Sequence, residues 1–361
     1  MTAQFETAPF QNLLTQLSNS LCPEETDYWP TERLDALRDA GVMRWNLPAE
    51  FGGAAMDEQQ MLEGYRQLAG ACLVTTFILT QRNGACQRIA TSGNQVARQR
   101  LLPALAEGEL FATVGISHLT TSGQHLRTPA VTAIPDGDGF RMTGIVPWAT
   151  GATHADILMT GGQLPDGRQL LAALPADRDG IHVNPPVNLM ALGSTQTGSL
   201  RLKNVLVHAD DILHGPVNAV MTQGVGGGAG SLGTSMLAAG AAQGMLSHLR
   251  IEADRRSELL EFYDPLSTAA TNLVSEIRLA ADDQHPAGSG ASQSIRQTAN
   301  SLVLRTAQSW LAATKGAGYV AGHRAERAVR ESMFFLVWSC PQPVLSANLR
   351  EFACSTTGLT N

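Results

Sequence analysis

Histidine and cysteine, the side chains that most often bind metals or act as nucleophiles, are spread thinly through the sequence. The nine histidines form no H-E-x-x-H or H-x-H pattern, and the five cysteines form no C-x-x-C pair. Zinc sites and disulfide frameworks both need close, regular spacing of such residues. The sequence therefore predicts neither a metal site nor a disulfide-stapled fold.

A glycine-rich run, Gly228-Ala-Gly230-Ser-Leu-Gly233, matches the G-x-G-x-x-G pattern of dinucleotide-binding loops. Such a loop needs a strand directly before the glycines and another strand after the helix that they open. Residues 214–223 are not strand-like, and a second long helical stretch follows the first. We therefore interpret the run as a linker in front of a helix.

The composition sets the broad class of protein. Of the 361 residues, 43% are hydrophobic and 16% are charged, which is enough apolar material for a sizeable core. The net charge is −7, the basic residues other than Lys203 and Lys315 are arginines, and no cluster of lysine and arginine is dense enough to follow a nucleic-acid backbone. No uncharged apolar run reaches the roughly 18 residues that a membrane span needs. With no basic and apolar leader at the N-terminus, we expect a cytoplasmic location.

The elements that must position any site fall into three regions. Residues 1–110 show helical periodicity and predict an N-terminal α-helical domain. Residues 111–222 contain short β-branched runs separated by turn signals, among them Asp136-Gly137 and Asp138-Gly139 at a predicted hairpin. This pattern predicts an antiparallel sandwich or barrel. Residues 223–361 return to long helical stretches and predict a helical bundle domain.

Five segments, in chain order, resemble acyl-CoA dehydrogenases. The segments are residues 37–53, 101–109, 136–156, 193–207 and 316–331. The resemblance implies an α+β fold with an N-terminal helical domain, a central antiparallel β-barrel and a C-terminal four-helix bundle. It also implies FAD as the cofactor and a homodimer or homotetramer, since the family completes its flavin site across a subunit interface.

The resemblance assigns flavin-contacting roles to Ile116 and Ser117 in the first strand of the barrel, and to Trp148 and Thr150 further on. These residue types suit a flavin ring, which is flat and partly apolar with polar edges. An aromatic side chain can lie against the ring, and hydroxyl groups can reach its edge. Taken alone, Trp148 would be interpreted as a core aromatic residue.

Two further positions follow from the same resemblance. Arg256, or its neighbour Arg255, matches an arginine that reaches the FAD pyrophosphate of a neighbouring subunit. Ser122 is next to the position of the serine that contacts the acyl-CoA arm. A solvated arginine at the end of a helix is the alternative interpretation of Arg256.

The sequence departs from the family at the catalytic base. Most members carry a glutamate where this chain has Ser339, and others carry the base where this chain has Gly233 or Thr234. Removal of an α-proton needs a basic group, and an ordinary hydroxyl cannot accept that proton at neutral pH. The identity of the catalytic base is therefore open.

Three functions remain possible. The first is an oxidoreductase that dehydrogenates the Cα–Cβ bond of an acyl-CoA or acyl-carrier thioester, with Glu331 or a nearby acid as a displaced base. The second is a flavin-dependent monooxygenase of the same fold, in which His118 is the candidate catalytic residue; a hydrogen-bonded structural histidine is the alternative for that position. The third is a family member without catalysis. Fold analogy favours the first.

Overall fold

The computed structural model describes residues 5–120, 128–223, 231–282 and 290–354. Within these ranges, helices come first, strands occupy the middle, and helices return. Before the strands lie α1 (Ala8–Asn19), α2 (Thr31–Asp39), α3 (Glu58–Ala71), α4 (Leu73–Ala90) and α5 (Gln95–Glu107). The short α6 (Ser117–Thr120) follows the first strand. After the strands lie α7 (Leu232–Arg255), α8 (Leu260–Asp282), α9 (Gly290–Gly318), α10 (Arg324–Met333) and α11 (Gln342–Ala353).

Local sequence signals fix the ends of the helices that matter for the site. Asp57 and Gln60 form a capping box at the start of α3, in which each side chain accepts a hydrogen bond from the other's backbone N–H. The Asn94 side chain caps α5, and Gly108 ends that helix in the left-handed conformation that favours glycine. Helix α4 is buried on most of its surface, because its sequence is apolar with little amphipathic pattern.

Eight strands form one sheet. They are β1 (Ala112–Gly115), β2 (Val131–Asp136), β3 (Gly139–Ala149), β4 (Ile157–Gln163), β5 (Gln169–Pro175), β6 (Ile181–Val183), β7 (Gly198–Val207) and β8 (Ile212–Val217). The hydrogen-bonded order is β6-β7-β3-β2-β4-β5-β8, with β1 beside β4. The predicted hairpin is present between β2 and β3, where Asp136 pairs with Gly139 across a two-residue turn.

The sheet is mixed, whereas the sequence predicted antiparallel pairing throughout. Strand β1 runs parallel to β4, and β2 meets β4 in parallel at a single pair of residues. Parallel neighbours need a long crossover connection, which turn signals along the sequence do not reveal. Residues 214–217 also belong to a strand, so the prediction that they are not strand-like was wrong. The dinucleotide-binding pattern also needs a strand after α7, and helix α8 follows there instead.

Helices α3 and α7 pack at very short distance. A Cβ atom on Gly240 would lie 2.2 Å from the Arg66 carbonyl oxygen, and one on Gly244 would lie 2.3 Å from the Gly70 carbonyl oxygen. Glycine at these positions therefore allows the two backbones to approach. This contact ties the N-terminal helices to the C-terminal helices and brings the start of α3 and the start of α7 to a common space.

Three arginines of α10 hold the N-terminal segment. Arg324 donates to the Asn19 carbonyl at 3.0 Å, Arg327 donates to the Cys22 carbonyl, and Arg330 forms an ion pair with Glu24 at 2.6 Å. We call these contacts the N-terminal clamp. The clamp fixes the position of α10 and of the segment that follows it.

The order of helices, strands and helices agrees with the sequence prediction, while the domain boundaries at residues 110 and 222 stay a prediction. Among the described residues, no helix is long and apolar enough to cross a membrane.

Candidate active site

A cavity of about 1040 Å³ lies where the three regions meet. Its wall is formed by α3 and α4, by the residues after β1, by the ends of β3 and β7, by the start of α7, and by residues 330–339. Ligand sites in proteins typically enclose about 300–1,000 Å³ and occur at such junctions. The cavity is therefore the candidate active site.

One side of the cavity carries the residues that the sequence assigned to a flavin. Ile116 and Ser117 follow the end of β1, Trp148 lies near the end of β3, and Thr150 comes directly after that strand. All four line the cavity. Ile116 and Ser117 were expected within the first strand, but β1 ends at Gly115 and Ser117 opens α6. We call these residues, together with Thr195 and Thr197, the strand wall.

The hydroxyl groups of the strand wall are held by one another. The Thr150 and Thr197 hydroxyls lie 3.0 Å apart, and the Thr197 and Thr195 hydroxyls lie 2.8 Å apart. Thr113 donates to the Thr150 carbonyl at 2.7 Å. Mutual hydrogen bonding of buried groups restricts their rotation. This part of the wall is therefore fixed before any ligand enters.

The strand wall fits a flavin ring. Trp148 is 47% exposed and faces the cavity, so it is not the core residue that its type alone suggests. Ser117 Oγ is buried and has no hydrogen-bond partner among the described residues. An open aromatic face beside an unsatisfied hydroxyl is what a flat ring with polar edges requires.

His118 does not line the cavity. It is 9% exposed, and its Nε2 donates to the Gly161 carbonyl at 2.9 Å. Burial lowers the pKa of His118. These contacts describe a buried neutral imidazole in the β-sheet region and match the structural interpretation.

Arg256 lies at the end of α7, away from the cavity. It donates to Glu252 at 3.0 Å and to the Ala313 carbonyl. Its neighbour Arg255 is mostly exposed and lies 3.7 Å from Glu252. Arg256 is thus engaged within its own chain. Ser122 lies outside the described residues.

The positions that the sequence resemblance matched to the family's base reach the cavity. Ser339, Gly233 and Thr234 all line it. Ser339 has a φ of 48°, the left-handed conformation that non-glycine residues rarely adopt. Such backbone strain is common at functional sites.

Carboxylates are scarce in this cavity. Glu58, in the first turn of α3, is the only acidic residue among the described residues that line it. Desolvation raises the pKa of the Glu58 carboxyl. Glu331 lies in a different cleft, paired with Arg327 at 2.6 Å, so it cannot serve as the displaced base.

The cavity is also lined by α3, α4 and residues 330–339, which we call the helix wall. Phe334 and Trp338 stack with ring centroids 5.2 Å apart, and Phe77 meets both edge-on. Tyr65 accepts a hydrogen bond from Asn83 at 2.9 Å, and burial raises the pKa of Tyr65 to about 12. Its phenolic proton therefore stays in place as a donor. Sequence reasoning missed these residues, because their signal is that of an ordinary helical core.

Neither side of the cavity has the composition of a metal site. Among the residues that the structure describes, no three His, Cys, Asp or Glu side chains come together as metal ligands.

Comparison with known proteins places the chain. Residues 18–109 match the family model "Acyl-CoA dehydrogenase, N-terminal domain". The dibenzothiophene monooxygenase of Mycolicibacterium goodii is 28% identical over 208 residues, which are 56% of this chain and 49% of that protein. The probable acyl-CoA dehydrogenase YngJ of Bacillus subtilis is 22% identical over 329 residues, 86% of each chain. The chain spans about half the length of the dibenzothiophene monooxygenases that it matches.

Solved structures show the same architecture. The glutaryl-coenzyme A dehydrogenase in complex with glutaryl-CoA has a TM-score of 0.78 at 17% identity, over 96% of this chain and 95% of that one. FMN-bound TdsC from Paenibacillus has a TM-score of 0.74 at 17% identity, over 95% of this chain and 96% of that one. The chain thus has the acyl-CoA dehydrogenase fold. The resemblance to the acyl-CoA dehydrogenase family is confirmed, while the loss of the usual catalytic glutamate stays a prediction.

Proposed function

We propose that this protein is a flavin-dependent oxidoreductase that binds FAD and oxidises the Cα–Cβ bond of an acyl thioester. The observation that carries the proposal is the convergence of Ile116, Ser117, Trp148 and Thr150 on one cavity, with Trp148 half exposed. A flavin supplies a two-electron acceptor at its ring. Trp148 would lie against that ring, and the Ser117 and Thr150 hydroxyls would meet its polar edge.

The helix wall would hold the acyl chain. Phe77, Phe334 and Trp338 offer an apolar surface that excludes water, which favours binding of an aliphatic chain. Tyr65 keeps a phenolic donor on the same side. This division gives the cofactor and the substrate separate walls of one cavity.

Proton removal needs a basic group, and we propose Glu58 for it. Ser339 has a hydroxyl that cannot take the α-proton at neutral pH. Glu58 is the carboxylate that the described cavity wall offers, and its raised pKa makes it a stronger base than an ordinary glutamate. Glu58→Gln should therefore abolish reduction of the flavin by substrate while leaving flavin binding intact.

A flavin-dependent monooxygenase is the second candidate. It is favoured by the absence of a carboxylate at positions 339 and 234 and by the similarity to dibenzothiophene monooxygenases. His118 is a weak catalytic candidate for that reaction, because its Nε2 is occupied by the Gly161 carbonyl. A residue of the cavity itself, such as Tyr65, would have to provide the proton.

The visible absorption spectrum of the purified protein is the first test. Yellow protein that bleaches on anaerobic addition of an acyl-CoA supports the dehydrogenase. Yellow protein that ignores every acyl-CoA but consumes oxygen once reduced supports the monooxygenase. Colourless protein that cannot be reconstituted with FAD or FMN supports the non-catalytic alternative and contradicts both enzymes.

Two further properties are part of the proposal. The homodimer or homotetramer is supported by exposed apolar side chains at Tyr319 and Val320, within the segment of residues 316–331 that resembles the family's bundle. Sedimentation of the purified protein tests it. A cytoplasmic location completes the proposal.

A further inference from the structure

Two cysteines that lie far apart in sequence meet in the structure. Cys22 lies between α1 and α2, and Cys72 lies between α3 and α4. Their side chains line one small cleft, separate from the cavity of the candidate active site. Both are free thiols, and the Cys22 thiol donates a hydrogen bond to the Cys72 sulfur. Two thiols in contact can be joined by oxidation.

Cys72 is placed at the N-terminus of a long helix. It caps α4, which has 18 residues, and its Sγ lies 3.2 Å from the Thr75 hydroxyl. The first turn of a helix carries partial positive charge, which stabilises a thiolate there. The thiolate is the form of cysteine that reacts as a nucleophile. Its position therefore makes Cys72 the more reactive member of the pair.

Positive charge surrounds the pair. The guanidinium groups of Arg33 and Arg327 are buried and act on the two thiols. Glu331 also lines the cleft, and its ion pair with Arg327 at 2.6 Å offsets its charge. The hydrogen bond from Cys22 and the charge of Arg33 lower the pKa of Cys72 to about 5, although burial opposes them. Cys72 is therefore a thiolate at neutral pH.

The other thiols have a different chemistry. Burial raises the pKa of Cys86 and of Cys340. Each of these two therefore stays protonated at neutral pH, and a protonated thiol is a poor nucleophile. Cys354 is exposed after the end of α11 and does not line the cleft. Comparison with these three thiols separates the reactivity of the pair from that of an ordinary cysteine.

The size of the cleft limits the oxidant. Its volume is about 90 Å³, which leaves room for a molecule of a few heavy atoms. Cys22 is 1% exposed and Cys72 is partly exposed, so an oxidant reaches Cys72 first. Hydrogen peroxide fits these conditions, whereas a disulfide of peptide size does not.

We propose that Cys72 and Cys22 are a redox-active pair that hydrogen peroxide converts into a reversible disulfide. The Cys72 thiolate attacks one peroxide oxygen, the O–O bond breaks, and the hydroxide that leaves takes a proton from solvent. The Cys22 thiol then attacks the resulting Cys72 sulfenic acid, which forms the S–S bond and releases water. The two sulfurs lose two electrons, and the peroxide gains two and becomes two waters. A dithiol reductant reverses the reaction by thiol–disulfide exchange.

The disulfide would fasten a segment that contacts both walls of the cavity. The Pro23 carbonyl accepts a hydrogen bond from Ser194, beside the strand wall, and Glu24 pairs with Arg330 of the helix wall at 2.6 Å. The new bond would join this segment to the start of α4. It would close a loop of roughly 50 residues, which restricts the unfolded chain more than the folded one. Oxidation is therefore expected to stabilise the fold around the cavity.

The first test maps the oxidised bond. The purified protein is reduced, treated with a small excess of hydrogen peroxide, blocked with iodoacetamide and digested without reductant. We expect mass spectrometry to find the Cys22 and Cys72 peptides joined, and dithiothreitol to separate them. Cys354→Ser is the matched control, since it removes an accessible thiol outside the cleft and should leave the joined peptides unchanged.

Single variants assign the two roles. In Cys22→Ser, peroxide should produce a sulfenic acid on Cys72 that persists and is trapped by dimedone. In Cys72→Ser, Cys22 should stay unmodified under the same treatment, because its thiol is buried. Peroxide should raise the thermal midpoint of the natural protein and of Cys354→Ser by several degrees, but not that of Cys22→Ser or Cys72→Ser.

Three results would overturn the proposal. The first is the absence of joined peptides from a sample in which the same peroxide has oxidised Cys354. The second is a sulfenic acid on Cys22 in Cys72→Ser with none on Cys72 in Cys22→Ser, and the third is a rise of the midpoint that persists in both variants. If a serine variant does not fold, the peptide map of the natural protein decides. No step requires a flavin, so failure here leaves the proposed function standing.

Discussion

The two walls of the cavity are built on different principles. On the strand wall, the hydroxyls of Thr150, Thr195 and Thr197 satisfy one another, and a neighbouring strand holds the backbone. On the helix wall, Arg88 keeps buried donors without partners and Ser339 keeps a strained backbone. The threonine hydroxyls thus fix the shape of the strand wall before a ligand enters and leave Ser117 Oγ as its open polar atom, whereas the helix wall keeps a buried charge without a partner.

The largest effect that we expect from a substitution in either wall is a gain of function on the helix wall. Ser339→Glu puts a carboxylate where the sequence resemblance predicts the family's base, and general bases contribute roughly 10²- to 10⁴-fold to rate. We expect faster anaerobic bleaching of the flavin by acyl-CoA, measured by stopped-flow absorbance. Ser339→Gln is the control. No gain with any acyl-CoA would contradict either the matching of position 339 or the substrate class.

The next prediction contrasts the two buried arginines of α4. Arg82→Met should lower the free energy of unfolding by roughly 3 kcal/mol or more, since it removes several charged hydrogen bonds. Arg88→Met should leave it unchanged or raise it, because it removes an uncompensated buried charge. Urea denaturation measures both. Equal losses in the two variants would show that Arg88 has a structural partner.

A third prediction concerns the strand wall. Trp148→Ala should weaken flavin binding roughly 30-fold or more, because a large aromatic contact contributes about 2–3 kcal/mol. Trp148→Phe should keep most of the affinity. The ratio of flavin to protein absorbance after gel filtration checks it. Unchanged flavin occupancy in the alanine variant would show that the flavin does not bind at the strand wall.

The smallest effect is a dependence of stability on pH. The pKa of Glu58 is raised in the folded protein, so the folded state favours the protonated form and loses stability as pH rises through that pKa. Glu58→Gln should therefore be slightly more stable than the natural protein at pH 7, and the difference should vanish below about pH 4.5, the ordinary value. Urea midpoints at several pH values measure this. A difference that grows toward low pH would contradict a raised pKa.

Sequence patterns predicted the strand wall far better than the helix wall. Trp148 and Thr150 lie in an ordered series of motifs, and each motif fixes a residue relative to a strand end. No sequence motif marks Arg88, because its lack of hydrogen-bond partners is visible only in the three-dimensional structure. His118 shows the opposite failure: next to Ser117 in sequence, it turns away from the cavity because α6 begins there.

The helical and strand regions were predictable from periodicity, but the parallel pairing of β1 with β4 was not. Ala112 and Ile157 pair across 45 positions of chain, a contact without a local signature. The capping box at Asp57 and Gln60, by contrast, is predictable from sequence because both of its residues lie within one stretch of four.

The N-terminal clamp gives the chain a folding order. Arg327 meets the Cys22 carbonyl across 305 positions of sequence, and Arg330 meets Glu24 across 306. Contacts of such separation form late, since the entropy of closing the intervening loop must be overcome first. More than 300 residues must therefore leave the ribosome before α10 can dock, and the cavity that residues of α10 help to enclose stays open until then.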